Sequence, residues 1–209
     1  MAKVRDDLNG AISGAIGPIV YSNYNGKHYI RSKMKDRAKG SWSPEQVLYR
    51  QKVSRTAAFW KLIKDNPVRN TYILAAEKMS GYNLFLKTNL PAFTADGSKM
   101  DLDRLHLSFG TLPLPLHLNA IAEQGDSTKL NVSWKDDSGI GISHKSDELM
   151  VVFAHDETFS HPVATGVQRN KETAIVQVPE VTANLQGIFL FFASADRKLY
   201  SVDQFVEIN

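Results

Sequence analysis

The densest grouping of side chains able to do chemistry is a run of cations with aromatic rings set among them. Lys27, Arg31, Lys33, Lys35, Arg37 and Lys39 follow one another closely, and Tyr21, Tyr24, His28 and Tyr29 precede or interleave with them. Positive charge beside ring faces can hold phosphates while bases stack. The same arrangement can equally meet an acidic protein surface. Arg50, Lys52 and Arg55 carry the charge further along the chain. A plainer reading stands beside both. Alternate strand residues face opposite sides, so Tyr24 or Tyr29 could belong to a core while the cations form a solvated face.

Elsewhere the chemistry is sparse. His28, His106, His117, His144, His155 and His161 make no HExxH pattern and no short ligand pair. His155-Asp156-Glu157 with His161 could converge around a loop, but a divalent metal wants three or four such ligands, and an ordinary polar loop explains the same residues. Ser138-Gly139-Ile140-Gly141-Ile142-Ser143 lacks the Lys-Ser/Thr of a phosphate loop and reads as a connection. Asp101 and Asp103 could hold calcium weakly, and read better as a polar linker. No GxSxG elbow occurs, and there is no cysteine, which excludes a disulfide scaffold and any thiolate metal site. Carboxylate pairs distant in the chain stay invisible at this level. The expectation is a protein without cofactor or metal, and not an enzyme.

The elements that must carry the cations begin with a hairpin. Ile19-Val20-Tyr21-Ser22-Asn23-Tyr24 reads as one strand, Asn25-Gly26 as a tight turn, and Lys27-His28-Tyr29-Ile30-Arg31-Ser32-Lys33 as the returning strand. A two-stranded hairpin is marginal alone and must pack or pair with something. The basic stretch to Gly40 reads as a loop. Ser43-Pro44-Glu45-Gln46 then starts a helix as cap, first-turn proline and capping-box glutamine, over residues 44 to 64. Its apolar face would comprise Leu48, Phe59, Leu62 and Ile63, with Trp60 on the margin. Asn66-Pro67 opens a second helix, over 67 to 79, and a third runs over 82 to 90 before Pro91.

From Leu105 the hydrophobic period becomes two. Leu105, Leu107 and Phe109 alternate with polar residues, as do Leu112, Leu114, Leu116 and Leu118, although Pro113 and Pro115 suit only an edge or a lead-in. Further strands read at 130–134, 149–154, 174–178, 188–195 and within 200–208. About seven short strands in this half predict a β-sandwich of immunoglobulin or fibronectin type III pattern, with Trp134 as a core tryptophan. Gly187-Ile188-Phe189-Leu190-Phe191-Phe192-Ala193 is the longest strongly apolar run, and it reads as a buried strand. No stretch reaches the length of a membrane span, and no signal peptide is visible.

Charge follows the same division. Residues 1–60 hold eleven Lys/Arg and four Asp/Glu, a formal +7, whereas residues 105–209 hold seven and thirteen, a formal −6. An acidic module would be repelled by a phosphate backbone. A basic half and an acidic half can instead orient neighbouring copies.

Several pieces of the N-terminal half fall into an ordered pattern: Gly14-Ala15-Ile16-Gly17-Pro18-Ile19-Val20, Tyr24-Asn25-Gly26-Lys27-His28-Tyr29-Ile30-Arg31-Ser32, the segment from Ser43 with Gln46 and Arg50, Phe59-Trp60-Lys61-Leu62, and Ser80-Gly81-Tyr82-Asn83-Leu84-Phe85 with Asn89. In these, most of residues 10–90 resembles an uncharacterised family widespread in Bacteroidetes-type bacteria and catalogued as a domain of unknown function. Where that family usually has a proline-rich basic stretch, this chain has Met34-Lys35-Asp36-Arg37. The resemblance implies a β-rich C-terminal half and a bacterial or phage-associated source, and it carries no catalytic role.

The sequence therefore predicts an α+β protein with two domains. Residues 1–104 would form a basic domain of glycine-rich hairpin and helices, and 105–209 an acidic sandwich. The expected role is a structural or adaptor protein making protein–protein contacts, by self-assembly or with another protein, in a phage-derived or bacterial surface or secretion assembly. It would be cytoplasmic or particle-associated. Its contact surface is expected at Lys27, Arg31, Lys33, Lys35, Arg37, Lys39, Arg50, Lys52 and Arg55. Nucleic-acid binding through the 27–55 surface is the alternative, and an enzyme the weakest reading.

Overall fold

The computed structural model describes residues 3–4, 12–24, 26–35, 40, 42–123, 126–155, 158–178 and 185–208. The chain divides into two compact units, Met1–Ser43 and Pro44–Asn209.

The first unit is an antiparallel sheet in chain order: β1 (Lys3–Val4), β2 (Ile12–Ile16), β3 (Ile19–Tyr24) and β4 (Lys27–Ser32). The predicted hairpin is β3–β4, paired from Ile19 with Ser32 to Tyr24 with Lys27. Gly26 turns it at φ +72°, a conformation that favours glycine. Asn25 of the same turn lies outside the described residues. The sequence reading placed no strand at β2, which the structure adds through a turn at Gly17-Pro18.

The second unit begins with three helices: α1 (Pro44–Leu62), α2 (Val68–Ala75) and α3 (Gly81–Asn89). Asn66 caps α2 as expected, its Oδ1 accepting from the Val68 amide at 3.2 Å. The helix stops four residues short of the predicted 79, because the backbone becomes extended at Ala76. Ser80 Oγ caps α3 by accepting from the Asn83 amide. The face assigned to α1 needs correction. Thr56, Phe59, Trp60 and Ile63 are buried, while Leu48 and Leu62 face solvent. Trp60 belongs to the core, with ring contacts to Tyr72, Tyr82 and Phe85.

The strands follow as β5 (Asn119–Glu123), β6 (Asp126–Ser133), β7 (Glu148–His155), β8 (Thr158–Phe159), β9 (Val163–Gln168), β10 (Thr173–Gln177), β11 (Leu185–Ala193) and β12 (Gln204–Glu207). They make two distinct antiparallel sheets. One has the order β10-β6-β5. The other has the order β12-β11-β7-β8, with β9 also on β7. The architecture is α+β, with helices in the first half and antiparallel sheets in the second.

The β7–β11 pair organises this unit. Register sets Val152 opposite Phe189 and Phe153 opposite Ile188. Met150, Val152, Ala154, Phe189 and Phe191 on one face join Phe59, Trp60, Tyr72 and Phe85 of the helices in one core. Leu149, Val151, Phe153, Ile188, Leu190 and Phe192 on the other join Leu130, Val132, Trp134 and Val176 of the smaller sheet. A strand buried on both faces has no polar alternation, which explains the apolar run at 187–193. The change of period near residue 105 thus falls inside the second unit, where the helices share a core with the strands.

Two predicted strands are not strands. Residues 105–109 form no strand, and the amides of Leu107 and Ser108 donate to the Asp203 carboxylate instead of to a neighbouring strand. Residues 112–118 carry two prolines that cannot donate, and only Leu112 makes an isolated bridge, to Ser201.

Candidate functional site

β4 gathers part of the predicted cationic surface. Residues directly opposite in an antiparallel pair share a face. Lys27, Tyr29 and Arg31 therefore lie on one face of the sheet, with Val20 and Ser22 beside them on β3. Ile16, Ile19, Tyr21, His28 and Ile30 lie on the other. Every residue of β4 is exposed, including Tyr29 at 48% and Ile30 at 67%. Ile16 is 51% exposed. Tyr29 is thus no core residue and shares the open cationic face. Tyr21 is half-buried and looks the other way. Among the described residues the first unit is a single layer, with Lys27, Tyr29 and Arg31 on one face and Ile16, Ile19, Tyr21 and Ile30 beside Asn23, His28 and Ser32 on the other.

Lys33 and Lys35 continue, exposed, beyond β4, and Arg37 and Lys39 lie outside the described residues. Arg50, Lys52 and Arg55 sit on α1, in the second unit. The helix does not align the three, since positions two apart point to different sides. Lys52 is half-buried, and Arg55 is tied back by Nε donating to the Gly97 carbonyl at 3.2 Å.

The other sequence candidates resolve as structure. Asp101 caps a short 3-10 turn, accepting from the Asp103 amide and pairing with Arg104. Asp136 accepts from the Ser138 amide and hydroxyl, which lowers its carboxyl pKa. Gly139 and Gly141 both have positive φ in the loop that follows. Asp156 and Glu157 lie outside the described residues. Among the described residues no group of three or more His, Asp or Glu could hold a metal.

Two polar constellations escaped the sequence reading. In the first, the Asp203 carboxylate is fully buried. It meets His106 Nδ1 at 2.9 Å and accepts from the amides of Leu107 and Ser108. Burial pushes the Asp203 carboxyl up, against the pull of those hydrogen bonds, while the bond to Asp203 raises the His106 imidazole. Asn89 closes the network. Its Oδ1 accepts from the His106 amide at 2.7 Å, and its Nδ2 donates to the His106 carbonyl and to Tyr72 Oη. Tyr72 in turn donates to the His106 carbonyl at 2.7 Å.

An Asp-oriented imidazole is the base–orienter half of a nucleophilic triad. Among the described residues no hydroxyl bonds the other ring nitrogen, and the network fastens the 105–108 segment to α2, α3 and Asp203.

The second constellation surrounds Arg169, whose side chain is wholly buried. Its guanidinium takes both Asp137 oxygens, at 2.5 and 3.1 Å, reaches Asp147 at 3.4 Å, donates to the Pro113 carbonyl and lies 4.9 Å from the Phe192 ring centre. Trp134 Nε1 donates to the Arg169 carbonyl at 2.6 Å. The predicted core tryptophan is therefore fixed by a polar bond as well as by packing. Neither network has a short-range sequence signal, because positions 72, 89, 106 and 203, or 113, 137, 147 and 169, meet only through the tertiary fold.

Residues 11–205 match the family described as Family of unknown function (DUF6266), and the chain belongs to that family. No curated protein and no solved structure matches it. No described helix is long and apolar enough to cross a membrane.

Proposed function

We propose that this protein is a non-enzymatic structural or adaptor protein whose N-terminal sheet makes protein–protein contacts, and that the partner is a second copy of the chain. The observation that carries the reading is the uncovered apolar face of a single-layer sheet, with Ile16 and Ile30 both more than half exposed. A sheet with an apolar face gains stability by burying it against another element. The division of charge supplies a second contact, on the opposite face of the sheet: its cations, part of the +7 of residues 1–60, meet the −6 of residues 105–209 on a neighbouring copy. Among the described acids, Asp147 and Asp203 are buried and take no part in that surface. A contact between two unlike surfaces is head-to-tail, and it builds a ring or an open fibre. A phage-derived particle, or a surface or secretion assembly of a Bacteroidetes-type bacterium, is the setting such a building block suits. Residues 105–209 suit an immunoglobulin- or fibronectin-like scaffold for contacts: their two sheets share a core around Trp134.

Sedimentation of the full chain at low and high salt tests this. The expected result is a mass above the 23.3 kDa of one chain at low salt, falling as salt screens the charges. The Ile30→Lys variant should shift toward a single chain at both. A 23.3 kDa particle under every condition would remove self-assembly.

Lys27, Tyr29 and Arg31 on one open face favour a second reading, single-stranded nucleic acid stacked on Tyr29. Anisotropy of a labelled oligonucleotide at low salt decides it, and an unchanged signal removes it.

A further inference from the structure

Outside the N-terminal sheet, an open cleft of about 250 Å3 lies between α1 and the loop of residues 93–100. Phe59, Phe93 and Met100 form its apolar interior, and the exposed Leu62 forms a lip. Arg55 and Lys99 also line it, and no acidic side chain does. Among the described residues neither cation has an acidic partner: Arg55 bonds only the Gly97 carbonyl, through Nε.

We propose that this cleft binds a small apolar monocarboxylate, with the carboxylate held by Arg55 and Lys99 and the hydrocarbon laid on Phe59, Phe93 and Met100. Small-molecule sites are concave and mostly apolar, with a few placed polar groups, and this cleft fits that description at the small end. A guanidinium beside an ammonium selects an anion, and the apolar interior selects a hydrocarbon tail over a bare ion.

The cationic wall is pre-arranged. Gly97 stands at φ +70°, and a Cβ there would come within 2.8 Å of Arg55 Cγ, so the loop backbone packs directly on the Arg55 stem. Arg55 Nε is spent on that loop, which leaves the two terminal nitrogens of the fork for a ligand. The loop is itself tied. Asp96 Oδ1 accepts from Thr94 Oγ1, the Ser98 amide and Ser98 Oγ, bonds that lower its pKa to about 2. Thr94 and Lys99 exchange three further bonds, and Phe93 pairs with Met100. A wall already ordered loses little freedom when a ligand arrives.

Calorimetry or ligand-observed NMR on the full chain, with octanoate, octanol, octylammonium and acetate as probes, tests the site. Octanoate should saturate with a Kd on the order of 0.1–1 mM, as befits about ten heavy atoms. Octanol should bind about tenfold more weakly or worse. Octylammonium and acetate should give no saturation. Lys99→Gln, at an exposed position, should weaken octanoate several-fold while leaving octanol unchanged and the melting curve intact, and Arg55→Gln should weaken octanoate at least as much while also giving up the bond to Gly97. Equal binding of octanoate and octanol, or variants that bind octanoate as the natural chain does, would overturn the proposal. A leucine-ending peptide that outcompetes octanoate only when its carboxylate is free would overturn the small-acid assignment in favour of a chain terminus.

Discussion

β4 lies at the edge of its sheet and β11 inside its own, and the two strands are built on opposite terms. β11 is buried at seven of its nine positions, on both faces, between the helical core and the smaller sheet. β4 is exposed at all six of its positions. The sequences explain the difference. Gly187-Ile188-Phe189-Leu190-Phe191-Phe192 offers apolar surface in both directions, whereas Lys27-His28-Tyr29-Ile30-Arg31-Ser32 has a cationic face and only a thin apolar one. Burial of apolar area is the main favourable term in folding, so residues 44–209 carry a core of their own while β4 buries little within its sheet.

The comparison is broken most sharply at β11. Phe189→Ala should cost about 3–5 kcal/mol in denaturant unfolding, because the ring is fully buried against Phe159 and Phe205. A loss below about 1 kcal/mol would mean the doubly buried sheet is not the centre of stability.

His106 comes next. His106→Gln leaves the buried Asp203 without its cationic partner and should cost about 1–3 kcal/mol under acidic conditions. The folded imidazole has a pKa raised above its ordinary 6.5. Its contribution is therefore complete below that value and fades as pH rises through the folded one. Asp203, also raised, fades in the same sense, starting from its ordinary 3.8. Unfolding free energy measured from pH 5 to 9 should fall with pH for the natural chain, and the variant should lose the part of that fall that belongs to the imidazole while keeping the part that belongs to Asp203. Parallel curves would show that His106 does not titrate with folding.

The smallest stability effect belongs to Ile30→Lys. At concentrations where the chain is single, it should move unfolding by no more than about 0.5 kcal/mol, as an exposed position requires, although it is expected to weaken assembly.

What could be read without the structure was whatever depends on neighbours in the chain. Asn25-Gly26 specified the β3–β4 hairpin, Asn66 and Ser80 marked two helix starts, and the apolar run at 187–193 marked a buried strand. The errors share one cause. Periodicity at 105–109 looked like a strand, but the amides of Leu107 and Ser108 are taken by Asp203, nearly a hundred residues away, and those of His106 and Phe109 by Asn89 and Thr71. Leu48 and Leu62 matched a helical face of α1, yet the core begins only at Thr56, where α3 and the sheet arrive. Of the cationic surface, the sequence showed which residues were dense. It did not show that Lys27, Tyr29 and Arg31 share one face opposite Ile16, Ile19 and Ile30, which follows from register. It placed Arg55 with that surface, whereas the fold ties Arg55 to Gly97 at the edge of the cleft.

The central claim is that the N-terminal sheet is completed by a second copy. Amide hydrogen exchange of the full chain, followed across protein concentration at low salt, tests it most directly. Residues 19–32 should exchange quickly in dilute solution and gain protection as concentration rises, while β7 and β11 stay slow and unchanged throughout. Protection in residues 19–32 that is the same at every concentration would contradict the account.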